Sequence, residues 1–172
     1  MSTHYKLIQS LTGGDGEIVL QCFVTFSRFE YALKRAGFVK CDSHNNASAD
    51  WRRFARERLD ARLADMTDTE FAKARSYLLR EPPQKQIFVK SEEIMRWQKN
   101  SQQLREGDAE YLLRLVKDVR NNLFHGGKYP PPDGPVSDQA LRNGQLLQAC
   151  LTILEKCRSL DPGVNRFFEE FD

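Results

Sequence analysis

An all-α fold, an antiparallel bundle of about four to six helices, is the architecture that the sequence predicts. Apolar residues recur at three- and four-residue steps in several long stretches, as they do along one face of a helix. Groups of glycine and proline separate these stretches. The alternative, a parallel sheet covered by helices, would need more strand-like runs than the sequence contains. The 172 residues suffice for a single domain, spanning 1–172, with its own hydrophobic core.

The first strong helical pattern covers residues 17–36, and Gly37 provides a C-terminal stop. Its apolar stripe consists of Ile18, Cys22, Phe26, Phe29, Leu33 and Ala36. Residues 1–14 lack such a pattern and run into the glycine-rich break Gly13-Gly14-Asp15-Gly16, so we expect a flexible N-terminus.

A second helix is predicted to begin at a cap formed by Ser48 or Asp50 and to end near Leu63. Its predicted inner face consists of Trp51, Phe54, Ala55, Leu59 and Leu63. The helix also carries the arginines Arg52, Arg53, Arg56, Arg58 and Arg62. Two interpretations of these arginines stay open. They form a solvated face balanced by nearby acidic residues, or they include a phosphate-contacting strip in which Arg53 and Arg56 bind RNA.

A third helix is expected from about residue 68 to 79, with Thr67 as its cap and Glu81-Pro82-Pro83 as its end. Its inward-facing residues are Phe71, Ala74 and Leu78. The segment that follows is predicted to contain a short extended piece at 86–90 and the start of a helix at 91–98.

The central helix is predicted to begin with Asp108 as its cap and to end at Gly126-Gly127, because glycine favours a helix C-terminus. Its apolar stripe consists of Leu112, Leu115, Val116, Val119 and Leu123. A Pro/Gly-rich loop follows at residues 126–136, where repeated proline excludes both helix and inner strand.

A last long helix is predicted from a cap at Ser137 or Asp138 to about Leu160. Its inner residues include Leu141, Leu147, Leu151 and Leu154. Residues 161–172 form an aromatic C-terminal tail, which we expect to dock on the bundle in preference to a partner.

The composition is that of an ordinary soluble protein, and a formal net charge of +2 neither requires nor excludes a nucleic-acid partner. No apolar run is long enough to span a bilayer and no signal peptide is recognisable, so we expect a cytoplasmic location without membrane contact. The four cysteines have no Cys-x-x-Cys spacing and are predicted to be free thiols, three of them in the core. We expect no cofactor, and no metal because the histidines lack ligand spacing.

Three polar residues near the end of the central helix form the candidate catalytic group: Arg120, Asn121 and His125. At about 100° per residue they project away from the apolar stripe, and Lys117 extends the same row. Histidine exchanges protons near neutral pH, and arginine binds phosphate and offsets charge on its oxygens. Without a carboxylate cluster to hold magnesium, the set suits metal-free RNA cleavage by the 2′-hydroxyl, leaving 2′,3′-cyclic phosphate ends. Lys117 and Lys128 are candidate RNA contacts beside it.

One arginine and one histidine are few groups to act as general acid, act as general base and stabilise the charge on the phosphate in the same reaction. Two copies related by a two-fold axis would supply two of each, so a dimer across this sector is a geometric possibility. A structural interpretation also stays open, in which Arg120 and His125 are surface residues and the cation at the helix end is favoured by the helix dipole.

The stretch Arg120-Asn121-Asn122-Leu123-Phe124-His125 resembles the motif of HEPN domains, in which an arginine, a polar residue and a short spacer precede a histidine near a helix end. Gly126-Gly127 after the histidine fits the same pattern. Residues 26–37 resemble the opening helix of many such domains, and another long helix follows the motif. In layout the resemblance covers about residues 17–160, but its specific part is 112–128.

The resemblance implies a helical bundle that forms a homodimer with a composite active site, in which two motifs share one cleft. Many HEPN members are metal-independent endoribonucleases of toxin–antitoxin, phage-defence and CRISPR systems. By this likeness His125 would transfer protons, Arg120 would bind the scissile phosphate, and Asn121 would assist. The alternative is a non-catalytic HEPN-like module that binds a nucleotide, RNA or partner protein.

The resemblance also implies that the protein could have a partner, either a neutralising antitoxin or another protein of a defence system. One HEPN branch has a tyrosine two residues after the histidine, where an antitoxin modifies it. This chain has Gly127 at that position and Tyr129 two residues later. The departure argues against an antitoxin of that modifying kind.

Overall fold

Helices account for most of the chain in the computed structural model, which describes residues 3–41, 43–124 and 138–170. In chain order the helices are α1 (Thr3–Thr12), α2 (Glu17–Arg35), α3 (Trp51–Phe54), α4 (Thr69–Arg80), α5 (Asp108–Phe124), α6 (Asp138–Arg158) and α7 (Pro162–Glu169). Two small antiparallel hairpins join them, formed by β1 (Val39–Cys41) with β2 (Ala47–Ala49) and by β3 (Lys85–Val89) with β4 (Ile94–Gln98). The mainly helical class is therefore confirmed, with two hairpins that the all-α prediction lacked.

The core lies where α2 meets the α3 segment, α5 and α6. The apolar stripes predicted for α2 and α5 are buried, except that Ala36 and Leu123 are only partly covered. Aromatic rings fill the centre: Trp51 stacks on Phe29 with ring centroids 5.1 Å apart, and Phe54 meets Phe29 edge-on at 5.6 Å. Such ring pairs stabilise a core beyond the area that they bury.

The predicted second helix is present but not regular. Asp50 caps it by accepting a hydrogen bond from the backbone N–H of Arg53 at 3.1 Å. Of the two caps proposed, Ser48 and Asp50, the structure thus has Asp50. α3 continues without interruption into a π-helical turn (Ala55–Leu59) and a 3₁₀ turn (Asp60–Arg62), and residues 51–62 are called the α3 segment below. All five residues predicted for its inner face are buried.

The hairpin β3–β4 corrects the prediction of a helix start at residues 91–98. Phe88 pairs with Met95 in its register, and both side chains are exposed. The hairpin is held to the end of α5, where the side-chain amide of Asn122 donates to the backbone carbonyl of Gln84 at 2.6 Å. The extended piece predicted at 86–90 is confirmed within β3.

The N-terminus contains a helix that the sequence pattern did not predict, since residues 3–12 form α1. Its end is fixed on α6, where the side-chain amide of Asn143 donates to the carbonyl of Leu11 at 3.0 Å. The structure makes two further corrections. Asp68, not Thr67, caps α4, and Leu141, predicted to face inward, is 52% exposed.

The aromatic tail forms α7 and docks on α2, as expected. Asp161 caps the helix by accepting from the N–H groups of Gly163 and Val164. Val164 and Phe168 are buried, and Arg28 of α2 donates to the carbonyl of Phe168. The loop predicted at 126–136 lies outside the described residues. None of the helices that the structure describes has the length and apolar character needed to cross a membrane.

Candidate functional site at the end of α5

Arg120 lies in the last two turns of α5, and its side chain packs against α2. The guanidinium carbon is 5.0 Å from the centre of the Phe26 ring, within the range of a cation–π contact. Its Nη2 lies 3.9 Å from Oε2 of Glu30. The side chain is 35% exposed. The sequence predicted a side chain pointing away from any packing, whereas the structure gives Arg120 a place in the α2–α5 interface and leaves part of it accessible.

Of the residues predicted near Arg120, Asn121 contacts it directly in the described part of the chain. Nη1 of Arg120 donates a hydrogen bond to Oδ1 of Asn121 at 2.9 Å. The amide therefore helps to fix the orientation of the guanidinium. The two other residues predicted near this position, His125 and Lys128, lie outside the described residues.

Glu30 is a site residue that the sequence analysis missed. Its Oε1 accepts a hydrogen bond from the indole N–H of Trp51 at 3.2 Å, while Oε2 faces Arg120. The Trp51 ring itself is held against Phe26 with centroids 5.0 Å apart. A signal was present in the sequence, since Glu30 follows Phe26 by one helical turn and so borders the apolar stripe.

A polar groove begins one turn before Arg120, between the β1–β2 hairpin, the α3 segment and α5. It has a volume of about 440 Å³, and Lys40, Trp51 and Lys117 are among its lining residues. Burial lowers the pKa of Lys117, and the positive charge of Lys40 lowers it further. The charge of Arg120 acts on Lys117 in the same direction, so the groove and the Arg120 site are electrostatically connected.

The arginines proposed as a phosphate strip make contacts within the protein. Arg56 donates to the carboxylate of Glu110, and Arg52 Nε lies 3.0 Å from the other oxygen of that carboxylate. Glu110 is buried, so the two arginines tie the α3 segment to α5. Arg53 donates to the carbonyl of Gly37, and its guanidinium lies over an aromatic ring. A role of Arg53 and Arg56 in RNA binding stays a prediction.

The cysteines are free thiols as expected, and three of them, Cys22, Cys150 and Cys157, are buried. Burial raises the pKa of Cys22 to about 11, an effect that the nearby charge of Arg120 partly offsets. Among residues 3–41, 43–124 and 138–170, no three metal-ligating side chains come close enough together to hold a metal ion.

Comparison of the chain with protein-family models, with curated proteins and with solved structures found no match.

Proposed function

We propose that this protein is a metal-independent endoribonuclease of the HEPN type, built on a HEPN-like helical bundle. The observation that carries the proposal is the pairing of the Arg120 guanidinium with the Asn121 amide at an accessible helix end. His125 follows four residues after Asn121 in the sequence, as the resembling motif requires.

The reaction would need only groups that two copies of this motif supply. The 2′-oxygen forms a bond to the adjacent phosphorus while the bond from phosphorus to the 5′-oxygen breaks. A base removes the 2′-hydroxyl proton and an acid delivers a proton to the leaving 5′-oxygen, which gives a 2′,3′-cyclic phosphate and a 5′-hydroxyl. His125 takes part in this proton transfer, and Arg120 offsets the charge that develops on the phosphate oxygens.

Contacts around Arg120 support this role. The guanidinium contacts three groups: the Phe26 ring, the Glu30 carboxylate and the Asn121 amide. A side chain that is already oriented loses less conformational entropy when it binds a phosphate, which strengthens the interaction in the transition state.

A homodimer would complete the site by adding a second arginine and a second histidine, because one copy of each is few for acid, base and charge stabilisation. A cytoplasmic toxin–antitoxin or phage-defence system, with a neutralising or regulatory partner, is the biological setting in which the resembling enzymes act. RNA is the substrate in this proposal.

The second candidate function is a non-catalytic helical module that binds a nucleotide, RNA or a partner protein. One observation favours it: the contacts of Arg120 with Phe26 and Glu30 give the arginine a structural reason to be present. The two functions differ in whether RNA is cut.

A cleavage assay on mixed cellular RNA with excess chelator tests the proposal. The native protein should leave cyclic phosphate ends, while Arg120→Ala and His125→Ala should lose at least about 100-fold in rate, the usual contribution of such groups. Arg166→Ala, an exposed arginine of α7, is the matched control and should cut normally. Inertness of the native protein across tRNA, rRNA and mRNA would favour the binding module, and equal activity of all variants would place the reaction elsewhere.

A further inference from the structure

We propose that the groove between the β1–β2 hairpin, the α3 segment and α5 binds a phosphate group through the ammonium groups of Lys40 and Lys117. The RNA strand as the source of that phosphate rests on the proposed function, whereas the phosphate site itself does not. The groove's volume of about 440 Å³ is in the range of sites that hold a small ligand such as a nucleotide.

The lining of the groove has more positive than negative side chains. Its basic residues are Lys40, Arg52, Arg114 and Lys117. Its acidic residues are Asp50, Glu106 and Glu110. The excess of positive charge is small. Which of the cations can bind a ligand therefore depends on which of them already have a partner within the protein.

The acidic side chains are already engaged by other groups. Glu106 accepts from Nε and Nη2 of Arg114 at 2.7 and 2.9 Å. Glu110 is shared by arginines of the α3 segment, including Arg52 at 3.0 Å. Asp50 caps the α3 segment. The carboxylates therefore balance the arginines and not the lysines.

Among the described residues, the two lysines are the lining cations without a directly bonded carboxylate. The charges of Glu30 and Asp118 raise the pKa of Lys117, but each acts less strongly than burial and the charge of Lys40, which lower it. Within the part of the chain that the structure describes, neither ammonium group makes an ion pair or hydrogen bond with another residue. Lys117 is half-buried, and the charge of Lys40 is near enough to act on it unfavourably. A phosphate between the two would offset both charges and replace the hydration that Lys117 has lost.

The position of the groove relates it to the proposed cleavage site. Lys117 precedes Arg120 by three residues on α5, about one helical turn or ~5 Å along the axis. A strand whose scissile phosphate lies at Arg120 would therefore place a neighbouring phosphate at Lys117. The lysines of the groove would thus contact the phosphate backbone of the RNA and position the strand without reading its bases.

Binding of a fluorescein-labelled, single-stranded RNA oligomer with 2′-O-methyl groups throughout tests the site, because this probe cannot be cut by 2′-hydroxyl attack. Fluorescence anisotropy should show about tenfold weaker binding to Lys40→Ala/Lys117→Met than to the native protein. The slope of log K against log salt should fall in magnitude by about 1.4, or about 0.7 for each lost contact. Lys73→Ala on α4, an exposed lysine outside the groove, should match the native protein.

Isothermal titration of the native protein and the double variant with adenosine monophosphate and with inorganic phosphate separates the possible sources. Lysine-dependent binding of the oligomer supports a strand as the source, even if the native protein cuts no RNA and the ribonuclease proposal fails. Lysine-dependent binding of the mononucleotide alone supports the site with a free nucleotide as its ligand. Equal binding by the native protein and the double variant, or binding of none of the three probes by the native protein, would overturn the proposal. Lys40→Ala alone, on the exposed hairpin, serves if the double variant does not fold.

Discussion

Glu30 accepts a hydrogen bond from the buried indole of Trp51 with one carboxylate oxygen and faces Arg120 at 3.9 Å with the other. This carboxylate therefore links the buried Trp51 to Arg120, the residue proposed to bind the scissile phosphate. A side chain that is held through a rigid neighbour keeps its geometry better than one on a mobile surface. Glu30 is a positioning residue in this arrangement, since it acts through Arg120.

Glu30→Gln should lower the cleavage rate while leaving the fold intact. The amide keeps an acceptor for Trp51 but removes the charge that faces Arg120. Since this ion pair is partly exposed, the free energy of unfolding should change by less than about 1 kcal/mol. Glu57→Gln, which alters an exposed ion pair of Arg53 at 3.6 Å, is the control. Cleavage kinetics and urea unfolding measure both effects, and an unchanged rate for Glu30→Gln would remove the positioning role.

Phe54→Ala should destabilise the protein by about 3–5 kcal/mol, as large-to-small changes in a packed core do. Phe54 is fully buried and meets the rings of Phe29 and Phe38 edge-on at 5.6 and 5.2 Å. Phe88→Ala on the β3–β4 hairpin is a matched control, because that ring is 58% exposed and should cost less than about 1 kcal/mol. Urea unfolding followed by circular dichroism gives both values. Similar costs for the two variants would contradict the burial of Phe54 in the core.

Iodoacetamide should modify one thiol of the native protein at pH 8, that of Cys41. Cys41 is exposed, whereas burial shields the other three and raises the pKa of Cys157 to about 12. The intact mass should therefore increase by one carbamidomethyl group in the native state and by four after denaturation. Cys41→Ser should show no addition until it unfolds. Fast labelling of a second thiol in the native protein would show that the core opens at Cys22 or its neighbours.

The sequence predicted those helices whose buried face is marked by a regular spacing of apolar residues. The stripe of α2 and the cap at Asp50, one of the two caps proposed, were recognisable because neighbouring residues determine them. The strand β4 was not, since its pairing with β3 depends on a turn in which Glu93 adopts a positive φ of 53°. Residues 91–98 contain helix-forming types, and only the partner strand decides between the two structures.

The same limit applies to the candidate site. Arg120 and Asn121 were found together because they are adjacent in sequence. Glu30 and Lys40 were missed because they come from α2 and β1, and their distance from α5 depends on how the helices pack. The structural use of Arg56 was missed for the same reason, since its partner Glu110 is 54 residues away in the sequence.

Asp161→Asn should weaken the docking of α7 and remove part of the acid sensitivity of the fold. The Asp161 carboxylate accepts from two backbone N–H groups of α7 and from Nε of Arg58 at 2.7 Å. Burial favours the neutral acid, but the Arg58 hydrogen bond and the N–H donors outweigh it and lower the pKa of Asp161. A carboxyl whose pKa is lower in the folded state stabilises the fold above its unfolded pKa, near 3.8, and loses that contribution as the pH falls through the folded value.

Urea unfolding at pH 7 and at pH 3 measures this contribution. At pH 7 the Asn variant should lose about 1–3 kcal/mol, the range for a lost charged partner of a buried polar group. Its difference from the native protein should be smaller at pH 3, because the carboxyl of the unfolded chain, with a pKa near 3.8, is then mostly protonated. Arg58→Met keeps the cap and removes the ion pair, so it should show a smaller loss and a weaker pH dependence. An equal difference at both pH values would mean that Asp161 acts through its shape and hydrogen bonds, and not through its charge.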